Sequence, residues 1–88
     1  MLLANARWIP PDPGTDAART GWLTTAEASR ATGIRVRLLQ ERAWSEREPL
    51  PDTLRWFYIP CVRQGNGRLL FSVAVLRRWV RLQRQEAV

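Results

Sequence analysis

Residues 22–44 read WLTTAEASRATGIRVRLLQERAW, and this stretch decides the fold because a glycine separates two helix patterns within it. Thr24 and Glu27 have the spacing of a capping box, in which each side chain satisfies a backbone amide at the start of a helix. This spacing predicts a helix over residues 25–32 that ends at Gly33.

A second helix is predicted to start within two residues of Gly33 and to run from about Arg35 to Trp44. Two helices joined by a tight glycine turn form a helix-turn-helix arrangement. The same spacing also fits an ordinary corner between two helices that binds no ligand. Spacing by itself therefore leaves both interpretations open.

The next stretch predicts a loop and then a β-hairpin. Residues 45–54 are polar and contain two prolines, which is typical of a loop. The run WFYIPCV at 56–62 and the run LLF at 69–71 are rich in strand-forming residues, and Asn66-Gly67 lies between them. Asn-Gly is the strongest short-range hairpin signal, because both central residues of a type I′ turn need positive φ. We therefore predict a two-stranded hairpin with this turn.

The predicted hairpin has two further features. Pro60 lies inside its first strand and limits that strand to a sheet edge, because proline has no amide hydrogen to donate. Arg63 and Arg68 flank the predicted turn. A two-stranded hairpin with arginines at its turn has the shape of a DNA-binding wing.

A third helix is predicted over residues 73–86, with Ser72 as its N-terminal cap. On a helical wheel the apolar side chains fall on one half and the basic side chains on the other. The apolar half contains Val75, Leu76, Trp79, Val80 and Leu82. The basic half contains Arg77, Arg78, Arg81 and Arg84. A core helix with a solvated face explains the apolar half, whereas four arginines without interleaved acids favour contact with phosphates or with an acidic partner.

The chain as a whole is predicted to be a small α+β protein. Residues 1–21 form an N-terminal arm that is partly flexible, and residues 22–88 form the folded domain. Pro10-Pro11-Asp12-Pro13-Gly14 enters neither a helix nor a central strand, because its three prolines fix φ and remove donors. Trp8 and Ile9 can still pack onto the domain.

The charge of the chain is uneven. The 88 residues include 14 basic ones, all of them arginine, against 8 acidic ones, for a net charge of +6. Residues 63–88 carry six arginines and one acid, so nearly all of the excess lies in this last segment. A segregated excess of positive charge favours polyanionic partners such as nucleic acid or an acidic protein surface.

Composition excludes several classes of function. With no histidine and one cysteine, a single chain offers neither a cysteine–histidine zinc site nor a disulfide framework. We expect no metal, no cofactor and no enzyme activity. Cys61 has no base in view, and Glu46 and Glu48 lie in a loop where they would be solvated, so they make a poor acid–base pair. No apolar run approaches the roughly 18 residues of a membrane span, and the first residues lack the order of a signal peptide. We expect a cytoplasmic location.

The order of these predicted elements resembles that of the excisionase and MerR-like winged helix-turn-helix family, which also includes recombination directionality factors. The resemblance covers about two-thirds of the chain, from Trp22 to Val80, and rests on the order and spacing of three stretches. They are 22–29, 32–39 and 58–72.

Three features depart from the family pattern. Ser29 stands where a small buried alanine is usual, a change that is tolerated if its hydroxyl bonds the backbone one turn earlier. Arg35 stands where a serine often caps the second helix. The loop over residues 45–54 is longer than usual, and it adds three acids.

The resemblance implies which residues contact DNA. In such folds the second helix enters the major groove and the wing reaches the adjacent minor groove. The recognition-helix residues would be Arg35, Arg37, Leu38, Gln40, Glu41 and Arg42. The wing residues would be Arg63, Gln64, Asn66 and Arg68. Thr24 and Thr25, at a helix start, would bind phosphate. Val36, Leu39 and Ala43 are expected to face the core. This leaves Arg37, Leu38 and Glu41 facing outward, where they could contact bases.

The function implied by the resemblance is that of an excisionase-like accessory protein, encoded by a bacterium or a phage. It would bind and bend double-stranded DNA at an attachment site and direct recombination toward excision. An integrase and other copies of the protein are its expected partners, with no membrane and no small-molecule substrate. A small transcription regulator or the DNA-recognition domain of a packaging protein are alternatives. A rival of another class is a protein-interaction module that uses the cationic third helix.

Overall fold

The computed structural model describes Leu3 and residues 5–86, with side chains up to Arg84. These described residues form a compact α+β structure with four α-helices and a three-stranded antiparallel sheet, which confirms the predicted class. The helices are α1 (Asp16–Thr20), α2 (Thr25–Thr32), α3 (Val36–Arg42) and α4 (Val73–Glu86). None of the described helices is long and apolar enough to cross a membrane.

Five short strands complete the fold. They are β1 (Trp22–Thr24), β2 (Ala43–Trp44), β3 (Ile59–Pro60), β4 (Val62–Arg63) and β5 (Leu69–Ser72). The antiparallel sheet has the order β1-β5-β4, with Leu23 opposite Phe71 and Val62 opposite Leu70. A separate parallel pair joins β2 to β3. β1 pairs with β5, and this pairing was not predicted from the sequence. It places Thr24, the residue before α2, opposite Leu70 of the hairpin.

The predicted bounds of α2 are confirmed. The Thr24 side chain accepts from the Glu27 amide and the Glu27 carboxylate accepts from the Thr24 amide, so the capping box is complete. Gly33 ends the helix at φ +73°, and its amide donates to the Ser29 carbonyl. The Ser29 hydroxyl does not bond the backbone one turn earlier but donates forward to the Ile34 carbonyl at 2.6 Å.

The second predicted helix is shorter than expected. It runs over α3 and stops before Ala43, because Ala43 and Trp44 leave the helix to pair with β3. Arg35 occupies the N-cap position and makes no capping hydrogen bond with its side chain. The short α3 therefore depends on packing more than on end capping.

The hairpin is confirmed, and its predicted turn type is wrong. Gly67 has φ +86°, but Asn66 does not have the positive φ that a type I′ turn requires. The Gln64 carbonyl accepts from the Gly67 amide, and the Gln64 amide donates to the Arg68 carbonyl. This is the pattern of a three-residue loop with a glycine bulge. Asn66 supports it by accepting from the Arg68 amide through its side chain at 3.0 Å.

The first predicted strand also starts later than expected. Phe57 and Tyr58 both donate their amides to the Leu54 carbonyl, so they continue the turn that follows a short 3-10 helix, Asp52–Leu54. Strand pairing begins at Ile59, and Cys61 lies between β3 and β4 rather than inside a strand. Proline 60 is accordingly confined to the two-stranded pair, away from the antiparallel sheet.

The core lies between the sheet, α2 and α4. Phe71 and Leu23 from the sheet, Leu39 from α3 and Leu76 from α4 are all fully or almost fully buried. The predicted apolar half of α4 is confirmed, because its residues are buried or half-buried while the arginines are exposed. Gln83, which the apolar pattern did not predict, is also buried and bonds the Leu3 amide and the Trp56 carbonyl.

The N-terminal segment packs on α2. The Arg7 and Ile9 amides donate to the carbonyls of Thr32 and Ala31, and Ala6 is buried in the core. After the prolines, Thr15 caps α1, and Ala17 of that helix joins the same core. The sequence analysis did not predict α1. The partial flexibility expected for residues 1–21 stays a prediction.

Candidate nucleic-acid interface

A cleft of about 680 Å³ lies where the start of α2, one face of α3 and the β4–β5 hairpin meet. Three segments that are distant in the sequence therefore converge on one surface. The lining residues are Thr24, Thr25, Ala26, Gln40, Arg63, Gln64, Asn66, Gly67, Arg68, Leu69 and Leu70. Both predicted helix-start residues, one predicted α3 residue and all four predicted hairpin residues are among them.

The hairpin supplies the positive charge of the cleft. Arg63 lies in β4, opposite Leu69, and its Nη1 donates to the Gly67 carbonyl at 3.1 Å, which holds the side chain against the turn. Arg68 follows the bulge and is exposed. Neither arginine takes part in an ion pair within the described part of the chain. The cleft thus presents two cations to an incoming anion.

The start of α2 forms the opposite wall. Thr24 already uses its amide and one oxygen lone pair in the capping box, so only its hydroxyl hydrogen is left for a phosphate. Thr25 is the first helical residue, and its amide has no partner within the helix. The N-terminus of a helix carries a partial positive charge that attracts anions, and the Glu27 carboxylate neutralises part of it. Glu27 itself does not line the cleft. Thr25 is therefore the better phosphate donor of the two threonines.

The exposed face of α3 differs from the prediction in part. Gln40 lines the cleft, while Arg35, Arg37 and Glu41 are exposed but lie outside its lining. Arg37 Nε and Glu41 Oε1 lie 3.6 Å apart in an exposed pair. Val36 was expected in the core and is 40% exposed, so that part of the predicted core stripe was wrong.

Two predicted contact residues of α3 face inward. Leu38 is half-buried and packs against the core. Arg42 is only 9% exposed, and its guanidinium lies over the Phe57 ring at 3.6 Å from the centroid. It also donates to the Phe57 carbonyl. Burial lowers the pKa of Arg42, against the opposing effect of Glu41 and Tyr58. The helix is thus rotated so that Leu38, Leu39 and Arg42 form its inner face.

The sequence analysis missed this stacking of Arg42 on an aromatic ring. No local signal pairs the two residues, since Arg42 and Phe57 are 15 positions apart and the arginine beside the aromatic run 56–58 is Arg55. We had assigned that run to a strand, in which alternate side chains point to opposite faces. The turn conformation instead brings the ring of Phe57 under α3.

The predicted arginine face of α4 is a separate surface. Arg77, Arg78, Arg81 and Arg84 are all exposed, and none of them lines the cleft. The ion pairs found among the described side chains do not involve α4. The structure therefore places Arg63 and Arg68 at the cleft and the four α4 arginines on a separate face, whereas Arg35 and Arg37 lie outside both and Arg42 is buried.

Compared with protein-family models, curated proteins and solved structures, the chain matches none of them. What the site can bind is therefore argued from its own geometry and charge.

Proposed function

We propose that the protein binds double-stranded DNA as a winged helix-turn-helix, with α2 and α3 as the helix pair and the β4–β5 hairpin as the wing. The observation that carries the proposal is the convergence of α2, α3 and two unpaired hairpin arginines on one cleft. An α-helix with polar side chains beside a cationic hairpin fits the major groove and the phosphates that border it.

Each wall of the cleft has a chemical role in this proposal. Arg63 and Arg68 contact phosphates or a narrow minor groove, where arginine is favoured. Thr25 donates to a phosphate at the start of α2. Gln40, which lines the cleft, and Arg37, which is exposed on the same helix outside the lining, contact base edges, because amide and guanidinium groups pair bidentately with adenine and guanine respectively.

The distribution of charge supports the same partner. Most of the net charge of +6 lies in residues 63–88, which begin at the hairpin. Such a concentration of positive charge attracts a polyanion and speeds its association. No bond is made or broken by the protein in this proposal, so its whole effect on DNA comes from binding.

The role that we propose is that of an excisionase-like accessory factor, which bends attachment-site DNA and directs a recombinase toward excision. An integrase and further copies on the DNA are its proposed partners, in the cytoplasm. A transcription regulator with the same fold would use the same cleft. The two roles differ in their effect on recombination. An accessory factor changes the products that the integrase forms, whereas a transcription regulator leaves them unchanged.

The binding proposal is tested by fluorescence anisotropy with labelled duplex DNA at about 50 and 200 mM salt. We expect binding at the lower salt concentration that weakens steeply at the higher one, because each phosphate contact releases counterions. The absence of binding at the lower concentration would refute the proposal.

The base-reading role of α3 is tested by Arg37→Ala. The variant should lose about 1–3 kcal/mol of binding free energy and relax the base preference at one position of a selected site. The accessory role is tested by footprinting on DNA that flanks the gene and by an excision assay with any integrase encoded beside it, each with and without the protein. Excision that is unchanged by the protein would leave the regulator role as the better description.

A further inference from the structure

A second pocket, of about 500 Å³, lies between residues 44–50 and α4. None of the residues that line the cleft lines this pocket. Most of its lining is apolar, from Trp44, Pro49, Leu50, Pro60, Cys61, Val75, Trp79 and Leu82. Its charged residues are Glu46, Arg47, Glu48, Arg55 and Arg78. An apolar pocket with a charged rim is typical of sites that hold a large side chain of a partner.

The wall of the pocket contains an unsatisfied donor. Trp79 is 3% exposed, and its Nε1 is buried without a hydrogen-bond partner among the described residues. Indole N–H groups are nearly always bonded when they are buried, and a donor without a partner costs free energy. Because this nitrogen is fully buried, a bound segment would reach it only after a rearrangement of the pocket wall.

The rim of the pocket continues into the arginine face of α4. Arg78 lines the pocket, and Arg77 and Arg81 are exposed on the same helix. Arg55 is paired with Asp52 at 2.9 Å, and Glu46 and Glu48 offset the charges of Arg47 and Arg78 on the rim, so the excess positive charge comes from the other arginines of α4. The α4 arginines form no ion pair with any described side chain, and thus they offer positive charge to an external acid.

We propose that this pocket and the arginine face of α4 bind an acidic segment of a partner protein. The segment inserts a large apolar side chain between Trp79 and Leu50, while its carboxylates pair with Arg78 and its neighbours on α4. The apolar lining favours a protein over duplex DNA, because the bases of a duplex are stacked inside the helix and its exposed backbone is charged. A second copy of this cationic chain is disfavoured by charge repulsion. The inference does not depend on DNA binding at the cleft.

The experiment uses two synthetic peptides of about 15 residues, a length at which a helix is marginally stable. One has glutamates with leucines at helical spacing, and its matched partner has serine in place of each leucine. Binding is followed by the backbone and indole N–H resonances of the ¹⁵N-labelled full chain. We expect the leucine peptide to shift the Trp79 indole signal and α4 amides, and to leave the amides of Arg63 and Arg68 unchanged.

Variants test the two halves of the surface. Arg78→Glu should lower the affinity for the leucine peptide about tenfold, since an attractive charge pair becomes a repulsive one. Leu82→Ala should lower the affinity about threefold or more, because it removes apolar surface from the wall of the pocket. Arg19→Glu, an equal charge change on exposed α1, serves as the control and should lower affinity much less.

Four results with the peptides or with the free chain would overturn the proposal. They are equal binding of the serine peptide, no binding of the leucine peptide, shifts centred on the cleft, and concentration-dependent shifts of the pocket in the free chain, which would indicate self-association. A labelled duplex added separately distinguishes this inference from the proposed function. Shifts by DNA at Trp79 and α4 would overturn the inference, whereas no shift by DNA anywhere would refute only DNA binding at the cleft.

Discussion

Arg42 shows how one residue links the candidate interface to the core. Its guanidinium stacks on Phe57 and donates to the Phe57 carbonyl, so it joins α3 to the loop that precedes β3. The side chain is buried but keeps its charge, because the ring face and the carbonyl oxygen replace part of its hydration. Arg42 is therefore a positioning residue for α3 and not a contact residue.

Removal of this contact should destabilise the protein. Arg42→Ala is expected to lower the free energy of unfolding by about 1–2 kcal/mol, from the lost stacking and the carbonyl left without its donor. Urea denaturation measures the change. Arg37→Ala is the matched control on the same helix, and its exposed ion pair should contribute no more than about 0.5 kcal/mol. Equal losses in the two variants would show that the stacking contributes nothing.

Cys61 is the second residue with a specific expectation. Burial raises the pKa of its thiol, against the smaller opposing effects of a Trp44 backbone contact and the charge of Arg63. The folded chain holds the proton more tightly than the unfolded chain does. The thiol's contribution to stability is therefore complete below the unfolded pKa and is lost as the pH rises through the folded pKa.

The direction of this change in the pKa of Cys61 can be checked by the reactivity of the thiol. The rate of modification by a disulfide reagent should reach half its maximum at a higher pH in the folded chain than in the chain unfolded in urea. The unfolded chain is the internal control for the reagent. A lower midpoint in the folded chain would mean that the charge of Arg63 outweighs burial.

Among the elements, the hairpin has the sharpest local requirement. Gly67 has φ +86° and Gly65 does not have positive φ, yet a Cβ atom at either position would meet no other atom within 4 Å. Gly67→Ala should cost about 1–2 kcal/mol of stability from backbone strain alone. Gly65→Ala is the matched control in the same loop and should be neutral. Thermal denaturation of both variants distinguishes strain from a general intolerance of larger side chains.

Elements that end at local signals could be predicted from the sequence. Thr24, Glu27 and Gly33 bound α2, and Ser72 precedes α4 and accepts from the Val75 amide through its hydroxyl. These signals act within one helical turn, so they can be read without knowledge of the rest of the chain. The presence of the hairpin followed from the Asn-Gly pair for the same reason.

Elements that depend on distant partners could not be predicted. Trp22–Thr24 forms a strand only because β5 lies beside it, and Ala43 leaves α3 only because Ile59 is available for pairing. The turn type also escaped prediction, since Asn66 bonds the Arg68 amide instead of adopting positive φ. The site followed the same division. The hairpin residues were predicted, whereas the inward positions of Leu38 and Arg42 depended on the core and on Phe57 respectively.

At the scale of the whole molecule, the fold separates positive charge into two surfaces with different surroundings. The cleft combines Arg63 and Arg68 with polar groups of α2 and α3, which suits phosphates and base edges. The α4 face adjoins an apolar pocket, which suits a protein segment. Since no lining residue is shared, the two surfaces can be altered independently, and the proposed DNA binding can be tested without disturbing α4.

The most direct measurement of that claim compares the DNA affinities of three chains by fluorescence anisotropy over a range of salt. A variant with Arg63→Ala and Arg68→Ala should bind duplex DNA at least about tenfold more weakly, and its slope of log K against log salt should fall by about two. Arg19→Ala, which removes an exposed arginine from α1, should bind like the unaltered protein. Unchanged affinity of the double variant, or an equal loss in Arg19→Ala, would contradict the assignment of the cleft as the DNA-binding surface.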